Sequence, residues 1–248
     1  MGEQKYSGKF IVFEGPDGSG KSTLVKRCAD RFREEFTNYE LNVRRFPTDM
    51  HAGGLLRHAF LGGELPDRFT DYGLPQTRIV QILAWADRAI EAKVKDGLWD
   101  RLHRGHIIFC DRYTGSREAY QIADRILTLG KNEEMITAQL EEIAREERDG
   151  ITMPQEDLVV HVSLPVKEGL ARLTKAYIGG RQPELFEREK FLEAVAYMFD
   201  RLAAKRPNWQ TAKAMDGERS LSPEEMEHKV FNDILYPFFD REGIRRTK

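Results

Sequence analysis

The sequence predicts an α/β fold: a three-layer α/β/α sandwich with a five-stranded parallel sheet at its centre. Two observations predict it. Short β-type runs alternate along the 248 residues with longer stretches of helical periodicity, the pattern of a parallel sheet wrapped by helices. The first run leads straight into Gly15-Pro16-Asp17-Gly18-Ser19-Gly20-Lys21-Ser22, which reads G-x-x-x-x-G-K-S. A helix-compatible stretch beginning with Thr23 follows. Strand, glycine-rich turn and helix in that order are the context of the P-loop of nucleoside triphosphate-binding folds.

The elements follow in order. Phe10–Glu14 is the first strand and Lys21–Glu35 the helix after the loop. Glu40–Phe46 is the second strand, followed by a short helix at Gly54–Phe60. A long helix over Pro75–His103 carries Ile79, Val80, Ile82, Leu83, Ala86, Ile90, Val94 and Leu98 at spacings that form one apolar face, and Gly105 stops it. The third strand is His106–Cys110, with helices at Ser116–Thr128 and Glu133–Glu147 behind it. The segment 131–150 is strongly acidic and reads as a mostly solvated helix. Leu158–Ser163 and Trp209–Met215 complete the sheet, separated by helices at Val166–Thr174 and Glu187–Lys205. A last helix, Pro223–Leu235, precedes a short tail at 236–248. With no internal repeat, low-complexity tract or linker, residues 1–248 read as a single P-loop domain.

Composition bounds the partners. A hydrophobic content of 40% and a charged content of 32% describe a soluble globule. The net charge of -2 gives no electrostatic case for nucleic acid. No apolar run approaches a membrane span, and the N-terminus lacks a signal-peptide core. Cys28 and Cys110 have no partner at metal-ligand or redox spacing, so both read as small core residues of a reducing compartment. The expected location is the cytoplasm.

Each residue type in the loop has a physical task. The glycines let successive N–H groups converge on phosphate oxygens at a helix N-terminus. Lys21 places a cation by the β- and γ-phosphates of a nucleoside triphosphate, and Ser22 offers a hydroxyl to Mg²⁺. Further along, Asp111-Arg112-Tyr113 follows the third strand, so a carboxylate sits at the strand end where such sheets gather ligands. In a P-loop protein that carboxylate organises Mg²⁺ and its waters, while the adjacent Arg forks onto phosphate.

These motifs together resemble the thymidylate kinase family, the P-loop kinases of nucleoside monophosphates. The resemblance rests on Glu14–Ser22, on Arg45-Phe46-Pro47-Thr48 and on Ala86-Asp87-Arg88. It continues through Asp111-Arg112-Tyr113 with Ser116 and Ala119-Tyr120-Gln121, and through Gly179-Gly180-Arg181 with Glu184–Glu187. It covers Phe10 to about Leu235 and implies ATP-dependent phosphorylation of dTMP to dTDP by a homodimer with Mg²⁺ as cofactor. It further implies that Asp17 holds the acceptor's 3′-hydroxyl and helps orient the metal, with Asp111 near Mg²⁺ and Arg112 on the acceptor phosphate. Arg88 would bond the pyrimidine edge, Tyr120 would lie against the sugar where a 2′-hydroxyl clashes, and Arg172 would pack near the donor adenine. Phe46, Pro47, Tyr113, Ser116 and Gln121 fall in the same acceptor site, and residues 15–23 hold ATP.

Three positions sort this chain within the resemblance. Gly18 follows Asp17, where some members of the family carry an Arg, so the transition-state cation is expected from a lid at about 175–186. Arg181 is first choice and Lys175 second, because a closing basic loop both excludes water and charges the equatorial oxygens. Ala84 stands where the family usually stacks a Phe on the base, with Trp85 beside it, turned by about 100°. Trp85 either reaches the base or belongs to the core. Asp49 and Met50 occupy the stretch where an acceptor-phosphate Arg is often found. Arg57 is the expected substitute, with Arg44 and Arg45 as alternatives of which strand alternation lets only one face the site.

Two other readings follow from the same residues. The first is a kinase for a different nucleoside monophosphate or for a nucleoside; a nucleoside kinase would need a carboxylate base near a 5′-hydroxyl, and Glu14 could serve. A nucleotide-hydrolysing switch would need a guanine-reading N-K-x-D element, which the chain lacks.

Overall fold

The structure is a computed structural model that describes residues 6–61, 76–149, 153–179 and 188–247. Five strands form one parallel sheet: β1 (Lys9–Glu14), β2 (Leu41–Arg45), β3 (Ile107–Asp111), β4 (Leu158–Ser163) and β5 (Trp209–Lys213), in the order β2-β3-β1-β4-β5. β1 lies in the centre, in register with β3 through Phe13 opposite Asp111 and with β4 through Glu14 opposite His161. Strands covered on both faces read as continuous apolar runs, and β1 and β3 do so here. Alternation then sorts their side chains. Phe10, Val12, Ile108 and Cys110 enter one core layer, Ile11, Phe13, Ile107 and Phe109 the other.

The first layer is closed by helices α5 (Thr114–Leu129) and α8 (Glu189–Lys205), through residues such as Ile122, Val195 and Phe199. The second is closed by α1 (Lys21–Glu35) and α9 (Pro223–Val230). The expected sandwich and its five-stranded sheet are both present. The remaining helices are α2 (His51–Leu55), α3 (Gln76–Lys93), α4 (Leu98–His103), α6 (Glu133–Asp149), α7 (Val166–Ile178) and α10 (Tyr236–Arg241). Among the described residues, no helix is long and apolar enough to cross a membrane.

Several elements differ from expectation, each for a local reason. The long helix over Pro75–His103 is two helices, α3 and α4. The chain turns between them at Asp96, with φ of 61°, and Gly97, where a Cβ would lie 2.3 Å from the Glu91 carbonyl oxygen. Asp100 caps that turn by accepting from Asp96 N at 2.9 Å, and Arg44 reaches across to Asp96 O and Glu91. Gly105, at φ of 83°, ends α4 as expected. The helix expected at Gly54–Phe60 starts earlier, at His51, and widens into a π-turn over Leu56–Leu61. Helix α7 runs on to Ile178, so Lys175 sits on a helical turn and not in a loop. The fifth strand stops at Lys213, and Met215–Asp216 (β6) pairs antiparallel with Arg219–Ser220 (β7).

The stretch expected as a tail is folded. A π-turn at Phe231–Leu235 carries the chain into α10, which buries Phe238 and Phe239; the Phe239 ring meets Phe32 at 5.2 Å. Arg246 then lies over the Tyr236 ring at 3.7 Å, and Thr247 N donates to Glu35 O at 2.9 Å. The acidic helix α6 exposes Glu133, Glu134 and Glu141 but buries Ile136 and Ile143, two turns apart.

Candidate active site

The site forms where β1 and β3 end side by side. Leaving β1, the chain turns through Gly15, Gly18 and Gly20 with φ of 151°, 77° and 88°, values that L side chains rarely adopt. Ser19 N donates back to Pro16 O at 3.3 Å, closing the loop. The N-terminus of α1 begins beside it, with the first-turn N–H groups and the dipole favouring an anion. Gly18 is confined as well as twisted. A Cβ there would lie 2.4 Å from the Gly169 carbonyl oxygen on α7, so no Arg fits beside Asp17.

Lys21 is buried, and its Nζ donates to Pro16 O at 3.1 Å. Burial, aided by the Arg112 cation, pushes its ammonium down to about 8. Ser22 Oγ donates to Asp111 Oδ2 at 2.5 Å, which joins the start of α1 to the end of β3. The other carboxylate oxygen, Asp111 Oδ1, is buried without a hydrogen-bond partner among the described residues. A buried anionic oxygen without a donor is costly, and a hard cation satisfies it. No cluster of three or more His, Cys, Asp or Glu among the described residues could hold a metal by itself. Ser22 and Asp111 therefore fit Mg²⁺ that takes its remaining oxygens from phosphates and water.

Arg112 follows at φ of 68°, a left-handed conformation uncommon for a side chain of its size. That turn sends its guanidinium back across the loop. Nη2 donates to Asp17 Oδ1 and, at 3.3 Å, to Tyr120 Oη, while Nη1 donates to Ser116 Oγ at 3.1 Å. Tyr120 Oη in turn donates to Asp17 Oδ2 at 2.6 Å. Burial raises the Tyr120 phenol, so it stays a donor through the neutral range.

Glu14 organises the same corner from below. Its Oε1 accepts from Tyr113 N at 2.8 Å and Ser116 N at 2.9 Å, and its Oε2 from Ser116 Oγ at 2.5 Å. The carboxylate thus satisfies the opening turn of α5. It does not line the cavity in front of the loop, where a base for a 5′-hydroxyl would have to stand.

That cavity, of about 450 Å³, runs from the P-loop to α3. It gathers most of the expected residues: Asp17, Lys21, Ser22, Thr23, Asp111 and Arg112 at the phosphate end, with Phe46, Pro47, Arg57, Arg88, Tyr113, Ser116, Tyr120 and Gln121 beyond them. Arg45 lines it too, while Arg44 turns away to Glu91, which decides the alternation. Arg57 is held in its wall by donating from Nε to Pro47 O at 2.6 Å.

Others stand apart. Trp85 is not among the residues lining the cavity; it packs against the core while Ala84 occupies the wall, an arrangement that favours the core reading of Trp85 over a substrate contact. Arg172 lies behind the loop, with Nη1 3.5 Å from Gly18 O and Ser19 O and Nη2 donating to Ser220 Oγ at 2.5 Å. Arg181 falls outside the described residues. Five wall residues went unforeseen as such: Leu56, Val80, Gln81, Leu173 and Arg117, the last of which, one step after Ser116 and four before Gln121, pairs with Glu146 of α6. That helical spacing from Gln121 was the available signal.

Comparison with known proteins agrees with this geometry. The thymidylate kinase family model matches residues 13–224. The thymidylate kinase of Thermomicrobium roseum is 38% identical over 167 residues, covering 66% of each chain. That of Protochlamydia amoebophila is 31% identical over 227 residues, covering 90% of this chain and 91% of its own. The structure of the Candida albicans thymidylate kinase superposes with a TM-score of 0.63 at 20% identity, over 95% of this chain and 94% of that one. Phosphate loop, paired strand ends and cation-lined cavity thus occur on a chain that belongs to the thymidylate kinase family.

Proposed function

We propose a division of labour among these residues for the ATP-dependent phosphorylation of dTMP to dTDP, the reaction of this chain's family. The observation that carries it is the set of five arginines, Arg45, Arg57, Arg88, Arg112 and Arg117, that line the cavity facing the P-loop. Such a wall suits an acceptor that already bears phosphate. Glu14, committed to the start of α5, leaves a nucleoside kinase without its base.

Residues 15–23 cradle the ATP phosphates, with Lys21 by the β- and γ-phosphates and Arg172 beside the loop on the adenine side. Arg112 and Arg57 grip the acceptor phosphate, which is ionised at neutral pH and needs no general base. Arg88 and Gln121 meet the pyrimidine edge, Phe46 and Pro47 flank the acceptor, and Tyr120 closes the space a 2′-hydroxyl would need. Ser22 and Asp111 would hold Mg²⁺, which would supply positive charge to offset that of the phosphates. Transfer is in-line and governed by positioning and electrostatics. The confinement of Gly18 against Gly169 supports Arg181 as the transition-state cation.

We assign the working form as a homodimer built across α3, whose Ile82 and Ile90 are exposed at 53% and 37%. Residues 1–248 act as one kinase domain, and the buried free thiols of Cys28 and Cys110 suit the reducing cytoplasm. The test is purified protein with Mg-ATP and a panel of nucleosides and nucleoside monophosphates, followed by ADP release. ADP formed with dTMP is the expected result. Formation with thymidine but not dTMP, or without any acceptor, overturns the assignment.

A further inference from the structure

The acceptor wall is tied to α3 at a point with no part in the chemistry described so far. Asp87, beside Arg88, is only 2% exposed on a helix turn flanked by Ala86 and Ala89. An isolated buried carboxylate is expensive, so its partners decide whether it belongs there. Both of its oxygens are engaged by one residue of the loop after β2. Thr48 N donates to Oδ2 at 2.7 Å and Thr48 Oγ1 to Oδ1 at 2.6 Å. Met50 N donates onward to Thr48 Oγ1 at 3.3 Å.

A second observation shows how closely the two pieces fit. A Cβ on Gly53 would lie 2.6 Å from each Asp87 oxygen and from Thr48 N. Only a glycine lets α2 settle over this carboxylate. The same loop belongs to the cavity wall on its other side: Pro47, which lines the cavity, precedes Thr48, and Pro47 O receives Arg57 Nε at 2.6 Å. Contacts therefore run from Asp87 through Thr48 and Pro47 to Arg57.

From this we infer that Asp87 is a positioning residue: by gripping Thr48 it fixes the span between Arg88, at the acceptor base, and Arg57, at the acceptor phosphate. The inference rests on the acceptor roles assigned to those two arginines. Asp87 touches no substrate. It sets where the phosphate-gripping wall stands relative to the base-reading helix, and a nucleotide of one length fits between them. Charge-assisted bonds of this kind are stronger than neutral ones, so their loss lets the wall drift.

Steady-state kinetics on the full chain tests this with Thr48→Val, Thr48→Ser and Asp87→Asn, using whichever monophosphate the wild type accepts, so a wrong base assignment does not decide the matter. Thr48→Val keeps the shape and deletes the hydroxyl bond; Thr48→Ser keeps both bonds. The expected result for Thr48→Val and Asp87→Asn is an acceptor KM raised about tenfold, with the ATP KM within about twofold. Thr48→Ser should restore the acceptor KM to within about twofold of wild type. If Asp87→Asn fails to fold, the Val and Ser pair decides alone. An unchanged acceptor KM in Thr48→Val overturns the inference. So does an equal rise for ATP and acceptor, which marks a general loss of structure.

Discussion

Tyr120 Oη donates to Asp17 Oδ2 at 2.6 Å, so helix α5 is fastened to the P-loop by a phenol and a carboxylate. Arg112 completes the triangle: it bonds both partners, and its guanidinium carbon lies 5.2 Å from the centre of the Tyr120 ring. Each member fixes the other two. On the role proposed for Asp17, its carboxylate is aimed at the acceptor sugar before the acceptor arrives.

Tyr120→Phe removes the donor and keeps the ring. Its kcat/KM for dTMP should fall about tenfold, the scale of a hydrogen bond to a charged group, while the ATP KM stays within about twofold. Because the ring remains, UMP should stay excluded. Tyr120→Ala opens that space, and the ratio of UMP to dTMP turnover should rise. Steady-state kinetics with both acceptors checks this pair.

Asp111→Asn replaces a buried anionic oxygen by an amide. At fixed Mg²⁺, kcat should fall about a hundredfold, the order found on losing one pre-aimed electrostatic group. The Mg²⁺ concentration giving half-maximal rate should rise. Ser22→Ala should move that concentration the same way by less, since Asp111 survives. Rate measured across an Mg²⁺ titration, with calorimetry of Mg-ATP binding, separates the two.

The lowered Lys21 ammonium makes ATP binding dependent on pH. In the empty loop it loses its proton as pH passes about 8. Bound phosphates favour the charged form and raise that pKa. Binding should therefore take up a proton near pH 8, and affinity should weaken as pH rises further, by up to about tenfold per pH unit. Calorimetry in two buffers of different ionisation enthalpy reads the proton directly. Equal heats in both would exclude it.

Arg181→Ala and Arg88→Ala should divide kcat from KM. Losing the transition-state cation lowers kcat by about a thousandfold with the ATP KM little changed. Losing the base contact raises the dTMP KM and leaves kcat within a few-fold. If Arg181→Ala turns over normally, the cation comes from elsewhere, and Lys175→Ala is the next variant to measure.

The parts legible in the sequence are those where chemistry dictates letters. Glycines at positive φ, the lysine and hydroxyl at the helix start, and the Asp-Arg pair at a strand end leave no synonyms. Other features depended on partners distant in the chain. The apolar spacing from Ile79 to Leu98 continues unbroken across Asp96 and Gly97, so only the contacts with Arg44 and Asp100 reveal the turn. Trp85 and Ala84 are neighbours, and a rotation of about 100° between them decides which faces the cavity. Gly18 was visible as a missing Arg, yet the reason for it is a carbonyl on α7. The Phe238-Phe239 pair did advertise burial, and the charged letters after it obscured that signal.

Glu14 carries a consequence for timing. It ends the strand that feeds the donor loop, and it accepts the first amides of the helix that carries Ser116 and Tyr120. The P-loop and the opening turn of α5 are thus joined through one carboxylate, and the donor and acceptor cradles proposed above share that support. On the roles proposed above, the line of phosphoryl transfer is set by this shared support before either nucleotide binds. The order in which the nucleotides arrive then need not affect it.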